Sequence, residues 1–164
     1  MLTLPRIAFA ALLVIVVAVI IGTAGALPDR VASHFGAGGL ANGWMSRNGY
    51  VAFMVGFTVA VPLIVVTMTG LLPGMARTSR NIPHHDYWFA PSRRAASAAR
   101  LVSHACLLGV LMVVFFGGLH MLVLLANADQ PARLNEPVFF SMLAVFLVGI
   151  AVWIVTMRRL FPKP

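Results

Sequence analysis

The stretch IAFAALLVIVVAVIIGTAGAL, Ile7–Leu27, runs for 21 residues without a charged side chain. About 20 helical residues rise 30 Å, the thickness of a bilayer's hydrocarbon core. Lipid offers a backbone no hydrogen-bond partner, so a segment inside it must be a helix or a strand of a closed barrel. This run is continuously apolar and does not alternate, which excludes a barrel strand. Three more such runs follow: 29 uncharged residues between Arg47 and Arg77, 28 between Arg100 and Asp129, and the 20 residues of Val138–Met157. The sequence therefore predicts an all-α integral membrane protein, a single domain over 1–164. Its four antiparallel transmembrane helices fall near 6–27, 50–73, 101–126 and 137–157.

Composition agrees. The chain is 60% hydrophobic and only 10% charged, with a mean hydropathy of +0.94. A water-soluble domain carries about a quarter charged residues. The net charge of +8 does not signal nucleic acid, because the arginines flank the apolar runs. One cysteine, Cys106, excludes an internal disulfide and a CxxC pair, and with them a disulfide-exchange enzyme. Arg6, the first apolar run and Ala24-Gly25-Ala26 imitate a signal peptide. The run is longer than a usual h-region, so an uncleaved span is expected.

Lysine and arginine set the direction. Arg6, Arg77, Arg80, Arg93, Arg94, Arg100, Arg158, Arg159 and Lys163 fall at one end of the spans, and only Arg30, Arg47 and Arg133 at the other. The positive-inside rule puts the first group in the cytoplasm. Both termini are then inside, and loops 28–48 and 127–136 outside. Pro62 is a possible kink in the second span. Gly22 with Ala26, and Gly109, Gly117 and Gly118, permit close helix approach, within one bundle or in a homo-oligomer.

The first outer loop, LPDRVASHFGAGGLANGW over Leu27–Trp44, is too specific for a plain connector, commonly 2–8 residues. Pro28 ends the first span. Asp29 can cap a short helix over Arg30–Phe35, with Val31 and Phe35 on one face. Gly36, Gly38 and Gly39 suit a sharp return, Asn42-Gly43 a turn, and Trp44 the membrane interface. A compact cap on the bilayer is expected.

At these residues the chain resembles a bacterial membrane domain of unknown function found at the N-terminus of SdpI-type immunity proteins, with the pattern LPxxIPxHFxxxGxxDGW. NIPHHDYWFAPSRR, Asn81–Arg94, is similar to that family's inner-loop pattern NIPNKDYWLAPERR. The resemblance covers about the first hundred residues. Asn42 stands where the family pattern has Asp, and His84 and His85 where Asn and Lys are common. The full SdpI-type second domain is not matched by this four-span chain. The resemblance implies a bacterial cytoplasmic membrane and a part in protection from, or sensing of, a secreted peptide toxin; stand-alone relatives have no settled activity.

The residues themselves offer several sites. Asp29, His34, Phe35, Asn42 and Trp44 are candidates for contact with a peptide or membrane-protein partner at the outer face. His120 lies about 9 Å inside the outer end of span three at 1.5 Å per residue, and an intramembrane ionisable group is a functional candidate by default. It can face His34, Asp29 or Glu136. His34, His120 and Glu136 are the weak candidates for a metal, and none is expected to be bound. His104 and Ser103 read as polar residues at the cytoplasmic interface. Haem between helices needs histidines on two spans, and only span three has them, so no cofactor is expected. In the inner loop, Asp86, Tyr87, Trp88, Arg93 and Arg94 form an interfacial motif. Tyr87, Trp88 and Phe89 would enter the headgroups, and Arg93, Arg94 and Arg100 would meet anionic lipid. There is no GxSxG, no HExxH and no carboxylate pair within a span. Three functions compete: a non-enzymatic recognition protein acting through the outer loop, a small transporter or channel subunit using His120, and a metal-dependent membrane enzyme at the outer mouth.

The nine-to-three asymmetry fixes a testable topology. Single cysteines in Ala37→Cys and Ala132→Cys should label with an impermeant reagent added to intact cells, and one in Ser79→Cys should not. Labelling of position 79 alone would invert the orientation.

Overall fold

A computed structural model describes residues 3–71 and 82–164. Among these residues four helices are long: α1 (Leu4–Gly22), α2 (Arg47–Leu71), α4 (Arg94–Ala126) and α5 (Glu136–Arg159), with a short turn of helix, α3 (His85–Trp88), before α4. All four long helices are long and apolar enough to cross a membrane, so the chain is a multi-pass, all-α membrane protein. The expected spans are all present. α4 starts seven residues earlier than the apolar run, because Arg94–Arg100 is alanine-rich and alanine and arginine are strong helix formers. Thickness arguments see only the apolar part of such a helix.

α4 is the central post. It packs against α1, α2 and α5, whereas α5 packs mainly on α4. Of the most apolar 18-residue window in each helix, 28% is buried in α4 and none in α5. Glycines on α4 make this crowding possible. A Cβ at Gly109 would lie 2.7 Å from the Phe9 ring of α1, and one at Gly117 would lie 3.1 Å from Val16. On the α5 side, Met142 sits over Gly118, Leu111 over Gly149, and the Phe115 and Phe146 rings stack at 4.3 Å. At the far end of this seam, Trp153 Nε1 donates to the His104 carbonyl at 2.9 Å and His104 Nε2 donates to the Trp153 carbonyl at 3.1 Å. His104 is thus buried between α4 and α5. Gly22 makes no close approach in the bundle: a Cβ there meets nothing within 4 Å. α2 runs on through Pro62, which is buried.

The loop between α1 and α2 is ordered, but its expected helix is absent. Arg30–Phe35 is a strand, β1, paired antiparallel with β2 (Ala41–Ser46). Six residues are too few for an isolated helix to hold itself. As a strand they pair along one side with β2 and meet the α4–α5 loop on the other. Asn42-Gly43 lies inside β2, and the return runs through Gly36–Leu40, where Gly36 N–H donates to the Leu40 carbonyl at 2.9 Å. Gly38 and Gly39 take the positive φ values of 80° and 74° that this return needs, and Gly36 does not. A side chain at Gly39 would also strike the Leu134 carbonyl.

At the opposite end both terminal segments and the α3 region meet. Trp88 Nε1 donates to the Pro162 carbonyl at 3.0 Å and Arg6 Nη2 to the Ala99 carbonyl at 3.0 Å. Ile82, Phe89, Leu101 and Phe161 form a small core there. Phe89 is therefore inside the protein and not in the headgroups, while Tyr87 stays exposed. Arg77, Arg80 and Asn81 lie outside the described residues.

Close helix contact at α4 predicts an asymmetric cost. Gly109→Leu should lower stability in detergent by about 1–3 kcal/mol through overpacking. Gly56→Leu, at a position where a Cβ meets nothing within 4 Å, should be near neutral. Equal unfolding midpoints for the two variants would contradict the packing.

Candidate functional site at the hairpin end

Three helices converge beneath the hairpin. Thr23 follows α1, Tyr50 lies in the first turn of α2, and His120 is two turns from the end of α4. His120 is fully buried. Its Nε2 is 2.7 Å from Thr23 Oγ1 and its Nδ1 is 3.1 Å from Tyr50 Oη. Thr23 Oγ1 donates to the Val19 carbonyl at 2.8 Å. One arrangement satisfies every atom: Tyr50 O–H donates to Nδ1, Nε2–H donates to Thr23 Oγ1, and Thr23 O–H donates to Val19. A neutral imidazole is then the linchpin of α1, α2 and α4. The sequence pointed to His120 but not to its partners. His34, Asp29 and Glu136 are not among them, because a tyrosine and a threonine already occupy both ring nitrogens.

The hairpin is docked by the α4–α5 loop. Asn127 Oδ1 accepts from Ala32 N–H at 2.8 Å, and Asn127 Nδ2 donates to the Ala32 carbonyl at 3.0 Å and to the Val123 carbonyl at 2.8 Å. The amide pairs with β1 as a neighbouring strand would. Leu134 N–H donates to the Gly39 carbonyl at 2.8 Å, Ala41 N–H to the Ala132 carbonyl at 3.2 Å, and Arg133 Nε to the Gly38 carbonyl at 3.1 Å. Glu136 Oε1 accepts from Gly38 N–H at 2.9 Å. Val31 is fully buried against Ile20, Leu27, Tyr50 and Met54. Asn127 was missed in the sequence because a lone Asn after a helix also reads as an ordinary end signal.

The other sequence candidates separate. Asp29 does not cap a helix: its carboxylate pairs with Arg47 at 2.9 Å at the hairpin base, and the Asp29 side chain is 96% exposed. Such a pair adds little stability. His34 Nδ1 donates to Asn42 Oδ1 at 2.5 Å, so position 42 supplies an acceptor for His34, a job that Asn and Asp share. Trp44 is 48% exposed with Arg30 over its ring at 5.6 Å, which suits the membrane interface. At the basic end Arg93 lies over Tyr87 at 4.1 Å, and His85 stacks on Phe89 at 4.9 Å beside Asp86. Among the described residues, no three His, Cys, Asp or Glu side chains gather to hold a metal ion.

What the hairpin covers is a cleft of about 660 Å³. α4 forms its back through Leu119 and Val123, α2 one wall through Tyr50, Phe53 and Met54, and α5 the other through Phe139 and Phe140. His34 and Phe35 hang over it from β1, and Glu136 stands at the rim. Its size is that of a ligand site, with an apolar floor and few polar groups. Beside it, Gly38, Asp129, Arg133 and Glu136 line a polar recess.

Residues 10–59 match the family described as Domain of unknown function (DUF1648). That stretch takes in most of α1, the whole hairpin and the first half of α2. No curated protein and no solved structure matches the chain. The matched segment contains Thr23, Tyr50 and the His34–Asn42 pair; His120 of α4 and Asn127 after it lie beyond the match.

The linchpin role predicts a stability effect. Tyr50→Phe and Thr23→Val should each lower stability by about 1–2 kcal/mol, and the double variant by less than the sum. Unchanged unfolding midpoints in both single variants would remove His120 from this role.

Proposed function

We propose that this protein is a non-enzymatic, SdpI-like recognition protein of a bacterial cytoplasmic membrane. In this reading both termini lie inside, and the hairpin on the outer face helps to hold an apolar segment of a peptide or membrane-protein partner. The observation that carries the reading is the cleft. It is apolar below and polar at the rim, it lies at membrane depth beneath an ordered lid, and one wall is the loosely packed α5. Such a site suits a chain with an apolar body and a polar end. The likeness of the loop to SdpI-type proteins, which act against a secreted peptide toxin, supports a peptide as partner and immunity or sensing as the role. His34, Phe35 and Glu136 are the contact residues favoured by position; Asp29, Asn42 and Trp44 support the hairpin from outside the cleft. A transporter built on His120 has less support, because both ring nitrogens are used to join helices.

A photoreactive phenylalanine analogue at Phe139 tests the reading in native membranes. A discrete peptide or protein adduct should form, and Leu119→Trp, which fills the back of the cleft, should abolish it at unchanged expression. His34→Ala should reduce adduct formation roughly 5- to 150-fold if it makes a buried polar contact worth 1–3 kcal/mol. Adducts with lipid alone, or an adduct that survives Leu119→Trp, would refute recognition in the cleft.

A further inference from the structure

At the basic end a second recess has a different character. It measures about 380 Å³ and lies where the start of α1, the first turns of α4 and the residue after α5 meet. Thr3 and Pro5 form one side, Leu160 another, and Arg100, Ser103 and Leu107 the floor along α4. We propose that this groove is the seat of one anionic phospholipid.

Depth carries the first part of the argument. Arg100 is the last charged residue before the 28 uncharged ones of the span, so it stands at headgroup level. Leu107 is seven residues on, about 10 Å deeper at 1.5 Å per residue, and is 47% exposed toward the lipid. A phosphodiester at Arg100 therefore places an acyl chain over Leu107 without bending either.

Charge and positioning carry the second. Arg100 stacks over Trp88 at 5.9 Å, and Trp88 is held by its bond to the Pro162 carbonyl. The guanidinium is thus placed by the fold. Arg6 reaches the same wall, its Nη2 bonded to the Ala99 carbonyl, and Thr3 Oγ1 lies 2.9 Å from Ser103 Oγ. The two hydroxyls are spent, Thr3 O–H on Ser103 Oγ and Ser103 O–H on the Ala99 carbonyl, so the Arg100 guanidinium is the donor that the groove offers to phosphate oxygens. Among the described residues, seven basic side chains and one acid, Asp86, lie at this end, so the complement is an anion. The apolar lining, Leu107 and Leu160, gives a free inorganic anion nothing to bind, whereas it buries part of a lipid chain. This inference concerns the opposite end of the bundle from the cleft and stands apart from the recognition reading.

Native mass spectrometry on the full chain in mild detergent tests it, with phosphatidylglycerol and phosphatidylcholine of the same chain length as probes and inorganic phosphate as competitor. The first phosphatidylglycerol should bind at least about fivefold tighter than phosphatidylcholine, the effect of one well-placed basic residue near a membrane surface. Arg100→Gln should erase that preference, and Arg100→Lys should keep most of it. Leu107→Trp, which obstructs the floor from an exposed position, should weaken both lipids. Arg93→Gln, over Tyr87 and outside the groove, should change the preference less than Arg100→Gln. Equal affinity for the two lipids, a preference retained in Arg100→Gln, or displacement by millimolar phosphate with no effect of Leu107→Trp would each overturn the proposal. Should Arg100→Gln fail to fold, the Arg100→Lys and Leu107→Trp measurements decide it.

Discussion

The imidazole of His120 sets the distance between three helices at the end of the bundle where the chain leaves α1 and enters α2. A polar group at that depth has little water to turn to, and leaving it unpaired costs far more than a pair contributes. Its two nitrogens therefore demand two partners, one acceptor and one donor. Thr23 and Tyr50 meet that demand from α1 and α2. With those two points fixed, the first and last residues of the intervening loop are fixed as well, and a two-stranded hairpin can span them in one register. Asn127, at the C-cap of the helix that carries His120, then ties that hairpin down through the backbone of Ala32.

The same central helix explains why a cleft exists. α4 uses glycine and medium-sized side chains to hold α1 and α2 close and buries more of its surface than any other span. α5 is joined to it by one seam of Phe146, Met142, Gly149 and Trp153 and buries no residue fully. α2 and α5 flank α4 without filling the space between them at the hairpin end. The hairpin covers that gap without entering it, so an ordered loop stands over an apolar opening.

The two ends of the bundle are built by different forces. At the hairpin end, backbone pairing dominates: strand to strand, strand to amide, loop to loop. That end carries three basic residues, and its ion pair Asp29–Arg47 is exposed and weak. At the basic end, aromatic rings and arginines dominate, with Phe161 from the tail buried among Ile82, Phe89 and Leu101. The first kind of end presents a fixed shape beside an apolar opening. The second presents positive charge at headgroup depth. A bilayer, with its uncharged interior and charged surfaces, makes use of both.

Apolar length by itself determined the four spans, because a segment that cannot bond to its solvent must bond to itself, and the helix is the local solution. Basic asymmetry likewise marked the two ends. Residue choice showed that Leu27–Trp44 was structured, that it carried His34, and that His120 was unusual where it stood. Tertiary structure decided the rest. Arg30–Phe35 is a strand and not a capped helix because its partners, β2 and Asn127, come from elsewhere in the chain; local spacing of Val31 and Phe35 fits either form. His120 is tied to Thr23 and Tyr50, 97 and 70 residues away, which no periodicity can pair. The cleft belongs to no segment: it is the volume left where α2, α4, α5 and the hairpin fail to meet.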